Sequence, residues 1–183
     1  MKIMVISGDS IIYCDANFLV AYGAGKTKQP EKQKNAKKLF ASLLVSKCKI
    51  VFSTLVFDEV WNGIRRELGP KTITDYFRFY LNKIIQPVGL ALTNYGAVEH
   101  SFQDISSDLN NFTNNLLNYP SISIIQLDNP RAGILEALSI LNKFKPRDAF
   151  HLTYARKNRV THIVTNDQKF NLSSTCGIDV INY

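Results

Sequence analysis

Four carboxylates fall where elements of the chain are expected to begin or end: Asp15, Glu59, Asp148 and Asp167. Asp15 sits in the apolar stretch IIYCDANFLV, and Glu59 opens a helical stretch after KIVFSTLV. Asp148 follows the break Lys145-Pro146 and heads a helix whose apolar face carries Leu152 and Ala155 at i+4 and i+7. Asp167 follows the apolar run of THIVTNDQKF. Each has an ordinary role open to it. Asp148 and Glu59 suit the first turn of a helix, where the dipole favours a negative charge. Asp167 suits a turn with Asn166. Asp15 fits such a role worst, because it interrupts an apolar strand. If the four meet, they repel: two charges ~4 Å apart cost roughly 4 kcal/mol at an effective dielectric of about 20. Such a pocket must take up protons or a cation, and oxygen donors favour a hard ion, Mg²⁺ or Mn²⁺. A site of this kind can activate water and offset charge on a phosphoryl oxygen, so phosphodiester hydrolysis is the natural reaction.

The elements that must bring them together read as alternating strands and helices. Strands are expected at Ile11–Val20, Lys49–Val56, Ser121–Leu127, His162–Thr165 and Ile178–Ile181. Helices are expected at Lys28–Lys47, with Ala36, Leu39, Phe40, Leu43 and Leu44 at helical spacing, and at Phe57–Leu68, stopped by Gly69-Pro70. Two more follow at Arg131–Phe144, with Ile134, Leu135, Leu138 and Leu141 in register, and at Asp148–Asn158. The stretch 71–120 differs, being rich in Asn, Ser, Phe and Tyr. It reads as a helical insertion, with helices near 72–85 and 95–118 and Gln86-Pro87-Val88-Gly89 between them. This alternation indicates an α/β fold with a mostly parallel sheet. In such a sheet the functional crevice lies beyond the carboxyl ends of the strands, which is where all four acids fall.

Composition narrows the function classes. A chain of 183 residues that is 45% hydrophobic suits one domain with a full core. No apolar run approaches the ~20 residues of a membrane helix, and no signal-peptide pattern appears at the N-terminus, so a cytoplasmic protein with no membrane association is expected. Cys14, Cys48 and Cys176 lack a C-x-x-C spacing, and His100, His151 and His162 lack H-x-x-x-H, so neither a thiolate nor a histidine metal site is expected. The net charge of +7 is concentrated. Lysines 26, 28, 32, 34, 37, 38, 47 and 49 face Glu31 alone, and a second cluster joins Lys143, Lys145, Arg147, Arg156, Lys157 and Arg159 against Asp148. Such patches suit either a polyanion or a solvated helix face. Gly23-Ala24-Gly25 lacks the third glycine of a dinucleotide fingerprint. Asp15-Ala16-Asn17 lacks the paired aspartates of a D-x-D phosphatase.

The stretches YCDANFLVAY (13–22), STLVFDEVWNGI (53–64), PRDAFHLTYARKNRVTHIVTNDQKF (146–170) and IDVIN (178–182) resemble the PIN-domain nucleases, most like the VapC-type toxins of toxin–antitoxin pairs. The resemblance implies a three-layer α/β/α fold, with 1–183 as a single PIN domain and 71–120 as an enlarged helical insertion. It implies a metal-dependent endoribonuclease with Asp15, Glu59, Asp148 and Asp167 around Mg²⁺ or Mn²⁺. Asn17 matches a polar position that supports the site, Thr165 the hydroxyl residue before the final acid, and Asn166 is a weaker candidate. Glu59 is preferred to Asp58 because the pattern puts the acid directly before the Val of E-V. One or two ions are compatible with this set. RNA is the implied substrate, with 5′-phosphate and 3′-hydroxyl products. A small antitoxin and a homodimer are the implied partners. Lys37, Lys38, Arg156 and Lys157 are candidates for guiding the RNA backbone, and Arg147 for a phosphate or an ion pair with a nearby acid. The alternative is a PIN-fold RNA- or protein-binding module that does not cut. Its mark would be a missing acid, and none is missing.

Overall fold

A computed structural model describes residues 6–23, 29–68, 102–103, 105–170 and 177–183. The first strand, β1, covers only Ile11–Cys14, not the whole apolar run to Val20. The chain turns at Asp15. Its carboxylate accepts the backbone N–H of Ala16 at 2.7 Å, and its carbonyl accepts those of Phe18 and Leu19. This cap starts helix α1 (Ala16–Gly23). Asp15 therefore ends a strand rather than interrupting one. Periodicity alone cannot separate a buried strand from a buried helix in a short apolar run, and here the cap decides.

The next helix, α2 (Pro30–Val45), buries Ala36, Phe40 and Leu43 and leaves Lys34, Lys37 and Lys38 exposed. Strand β2 (Lys49–Ser53) then yields at once to α3 (Thr54–Leu68), so the end of the run Lys49–Val56 is helical. After α4 (Ser106–Leu117) come β3 (Ile122–Ile125), α5 (Pro130–Ser139), α6 (Pro146–Lys157), β4 (His162–Val164) and β5 (Asp179–Ile181). The strands form one five-stranded parallel sheet in the order β3-β2-β1-β4-β5. Ile12 and Tyr13 stand beside Ile50 and Val51 on one flank and His162 and Ile163 on the other. A parallel sheet covered on both faces needs strands that are apolar throughout, and Ile12, Tyr13, Cys14, Ile50, Val51 and Phe52 are all fully buried. The result is a three-layer α/β/α fold.

The order of construction fixes where a site can form. The chain builds outward from β1 to β2 and β3, then returns to place β4 on the far side of β1. The direction thus reverses between β1 and β4, and the crevice outside their carboxyl ends is the switch point where such sheets bind ligands.

Two helices depart from their sequence patterns. Helix α5 turns Ile134, Leu135 and Leu138 outward, at 49%, 59% and 55% exposure, while Gly133 and Ala137 are buried, and it ends at Ser139, so Leu141 of the expected helix Arg131–Phe144 lies beyond it. Small residues set its inner face: a Cβ at Gly133 would lie 2.6 Å from Leu127, so the backbone approaches closely there. Ion pairs from Glu136 to Arg156 (3.3 Å) and Lys157 (2.9 Å) hold the same rotation against α6. Helix α4 lies inside the stretch 71–120, yet it belongs to the core. Leu109 and Leu116 are buried, and Trp61 Nε1 donates to Thr113 Oγ1 at 3.1 Å. The helix expected at 72–85 and the link at 86–89 lie outside the described residues. No helix among the described residues is long and apolar enough to cross a membrane.

Gly63 lets α3 approach α1. A Cβ there would sit 2.4 Å from Val20 Cγ2, a stiff β-branched side chain. Glu59 lies one turn before Gly63, so the same close approach carries it toward the start of α1. Gly63→Ala gains up to about 1 kcal/mol of helix propensity but must force this contact apart, which typically costs about 1–3 kcal/mol. A net loss of stability is expected in urea denaturation, and a higher midpoint for the variant would show that the approach is not tight.

Candidate functional site

Asp15 is 5% exposed, at the turn between β1 and α1. Its Oδ2 accepts from Thr165 Oγ1 at 2.8 Å and from Asn17 Nδ2 at 3.3 Å, and its Oδ1 accepts from Ala16 N. Thr165 reaches it because β4 runs beside β1, and the ladder continues with Asp15 N donating to Val164 O at 3.1 Å. The Thr165 hydroxyl also accepts from Asp167 N at 3.0 Å, so it anchors both the acid beside it and the turn beyond. Burial, with Glu59 adding to it, pushes the Asp15 carboxyl above its ordinary value. The electrostatic pull of the His151 ring and the bonds from Thr165 and Ala16 offset this only in part.

Glu59 lies in α3 and faces the same crevice. Its Oε2 meets His151 Nε2 at 3.0 Å, and its Oε1 meets an Arg147 nitrogen at 3.3 Å. Burial alone would raise its pKa, but the bond and electrostatic pull of His151 and the charge and bond of Arg147 outweigh that and hold it below the usual value. Asp58 is exposed instead, 3.5 Å from Arg147 and bonded to Asn62. The helix therefore separates the two neighbouring acids, with Glu59 turned inward.

His151 completes the cluster from α6. It is 2% exposed, and its Nδ1 lies 2.6 Å from Tyr13 Oη, which in turn lies 2.8 Å from Ser53 Oγ. Asp15, Glu59 and His151 each offer an oxygen or nitrogen within 4.8 Å of the others. Sequence spacing set this histidine aside, because its partners lie on other elements. Two signals were present: His151 stands one helical turn after Asp148, and Tyr13 stands two residues before Asp15, on the same side of an extended chain.

The remaining predicted residues are placed less closely. Asp148 occupies the first turn of α6, partly buried, on the side of the helix that carries His151, but outside the three-residue cluster. Asp167 also lies outside it, with its Oδ1 accepting from Lys169 N at 3.0 Å in a tight turn. Asn166 points to the last residue, donating to Tyr183 O at 2.9 Å and accepting from Tyr183 N at 3.0 Å. Arg147 is held by Glu59 and Asp58 at the crevice mouth. Arg156 and Lys157 pair with Glu136 at the far end of α6, about 12 Å along the helix from Asp148. Lys37 and Lys38 are exposed on α2.

Asp15 and Glu59 supply carboxylate oxygens at one point, and the donor set fits a hard divalent cation. Asp148 and Asp167 stand at the same edge of the sheet, because one opens α6 and the other follows β4.

No curated protein matches the chain. Among solved structures, VapC20 of Mycobacterium tuberculosis, described as a sarcin-ricin loop cleaving toxin, is similar with 15% sequence identity and a TM-score of 0.49, over 88% of this chain and 94% of that one. The sequence profile of the PIN domain matches residues 12–172, a span that runs from β1 past β4 and contains all four acids and His151. The chain belongs to the PIN domain family.

Proposed function

We propose that the chain is a divalent-metal-dependent endoribonuclease and the toxin of a toxin–antitoxin pair. The observation that carries the hydrolase reading is the meeting of Asp15 and Glu59, 44 residues apart in sequence, at the switch point of the sheet. Two carboxylates are brought together there, with Arg147 paired to Glu59 and His151 hydrogen-bonded to it. Asp15 and Glu59 would hold Mg²⁺ or Mn²⁺, with Asp148 and Asp167 contributing from the same rim. When bound, such an ion activates water and offsets charge on a phosphoryl oxygen.

The chain's own residues do the rest. Thr165, Asn17 and the Ala16 N–H fix the orientation of the Asp15 carboxylate. Arg147, at the mouth and 62% exposed, presents a cation where a phosphate would arrive. Lys37 and Lys38 add exposed positive charge on α2, within a chain of net charge +7. The toxin assignment rests on the resemblance of residues 13–22, 53–64 and 146–170 to VapC-type sequences. It brings with it a small antitoxin partner, a homodimer and a cytoplasmic location as parts of the proposal.

Incubation with labelled RNA and matched DNA, in Mg²⁺, Mn²⁺ or EDTA, tests substrate class and chemistry together. Cuts in RNA that need metal and leave 5′-phosphate and 3′-hydroxyl ends are expected. Cyclic phosphate ends would contradict hydrolysis at this site. Tight RNA binding without cutting in any metal would favour the non-catalytic module.

A further inference from the structure

We infer that His151 is a positioning residue, which holds the Glu59 carboxylate in place at the end of a buried hydrogen-bond chain running from Ser53 through Tyr13. The inference rests on the hydrolase reading above, since it concerns how that site is held. Glu59 Oε2 only accepts, so the His151 Nε2 facing it at 3.0 Å carries the hydrogen. In the neutral ring Nδ1 then accepts from the Tyr13 hydroxyl at 2.6 Å, and the Tyr13 oxygen accepts from Ser53 at 2.8 Å.

This arrangement links four elements. Ser53 ends β2, Tyr13 lies in β1, His151 in α6 and Glu59 in α3. Ser53, Tyr13 and His151 are buried, and only the Glu59 end reaches the crevice, at 17% side-chain exposure. With Nε2 protonated and Nδ1 taken by Tyr13, neither ring nitrogen has a lone pair free for an ion. A His151 that is 2% exposed also cannot touch RNA. Its bond and the Arg147 pair grip the two Glu59 oxygens separately. A flexible carboxylate is thereby set in one orientation, the usual task of a residue that supports a metal ligand.

The test compares Mn²⁺ binding, read from free Mn²⁺ by electron paramagnetic resonance, in wild type, Tyr13→Phe, His151→Phe and His151→Gln. Tyr13→Phe keeps the ring and removes one hydroxyl. His151→Phe keeps a ring and removes both bonds, whereas Gln restores a donor near the position of Nε2. Tyr13→Phe and His151→Phe are expected to weaken Mn²⁺ binding about 10–100-fold, with His151→Gln recovering part of the loss. Cleavage lost at low Mn²⁺ should return as Mn²⁺ is raised, with the KM for RNA unmoved. Melting curves in EDTA identify any variant that fails to fold, and Tyr13→Phe, the mildest change, carries the prediction if His151→Phe does not. Folded variants that bind Mn²⁺ like wild type would overturn the positioning role while leaving the hydrolase reading intact. A wild type that binds no Mn²⁺ would overturn both.

Discussion

Asp15→Asn removes RNA cleavage by about 10²–10³-fold or more and at the same time changes how stability depends on pH. The catalytic loss follows from position. Asp15 is the most buried acid of the crevice, and every bond it makes, from Ala16 N, Thr165 and Asn17, aims its charge at the point where Glu59 also arrives. An amide in its place has one acceptor and no charge, and its NH₂ group would face the donor groups of Thr165 and Asn17. The stability effect has a definite sign. The folded carboxyl titrates above its ordinary value, so between the two values the folded state holds a proton that the unfolded state has released. Stability is then fully present below the unfolded pKa and is lost as pH rises through the folded pKa. The metal-free wild type should lose stability on moving up through that window, and Asp15→Asn should not. Added Mn²⁺ should restore wild type alone. Denaturant titrations across pH, in EDTA and in Mn²⁺, measure all three, and parallel pH profiles for the two proteins would contradict this reading of Asp15.

Glu59→Gln has the second largest expected effect. It too should lower cleavage by about 10²-fold or more. It also leaves the Arg147 guanidinium with only the exposed Asp58, and turns a charge-assisted bond to the buried His151 into a neutral one. A loss of about 1–3 kcal/mol at neutral pH is expected. Its pH signature is opposite to that of Asp15. The folded Glu59 titrates below its ordinary value, so its contribution is present above the unfolded pKa and lost as pH falls through the folded pKa. In wild type this loss lies on the acid side of the usual carboxylate range. Glu59→Gln should lack it, and a variant with unchanged acid sensitivity would show that His151 and Arg147 do not hold the carboxylate.

Much of the sheet is legible in the sequence, because strands buried on both faces leave continuous apolar runs. IIYC, KIVFS and HIV are such runs. Their ends are less legible. ANFLVAY is as apolar as the strand before it, yet it is helical from Ala16, directly after the chain turns at Asp15. Helix α5 misleads for another reason. Pattern reading assigns the inner face to the bulkiest apolar residues, but there Gly133 and Ala137 pack inward and the leucines stay in solvent.

Asp15, Asp148 and Asp167 were readable as polar breaks at element ends, whereas Glu59, expected to open its helix, lies beyond the first turn of α3, and only the family resemblance preferred it to Asp58. The support beneath them was not. His151 meets Tyr13 across 138 residues and Glu59 across 92, so no local spacing rule reports them. Ser53 likewise reads as an ordinary polar residue at the end of a strand until Tyr13 is placed beside it. Arg147 was open to either a phosphate or a neighbouring acid, and in the folded chain it lies against Glu59 and Asp58.

The most direct test of the four acids is cleavage of a labelled structured RNA pool in Mn²⁺, after EDTA and after Mn²⁺ is restored, by wild type beside Asp15→Asn and Asp148→Asn. Wild-type cutting that stops in EDTA, returns with Mn²⁺ and is lost in both variants is the predicted result. Cutting that survives EDTA, or that both variants retain, would place the chemistry elsewhere and contradict a metal-dependent nuclease built on these carboxylates.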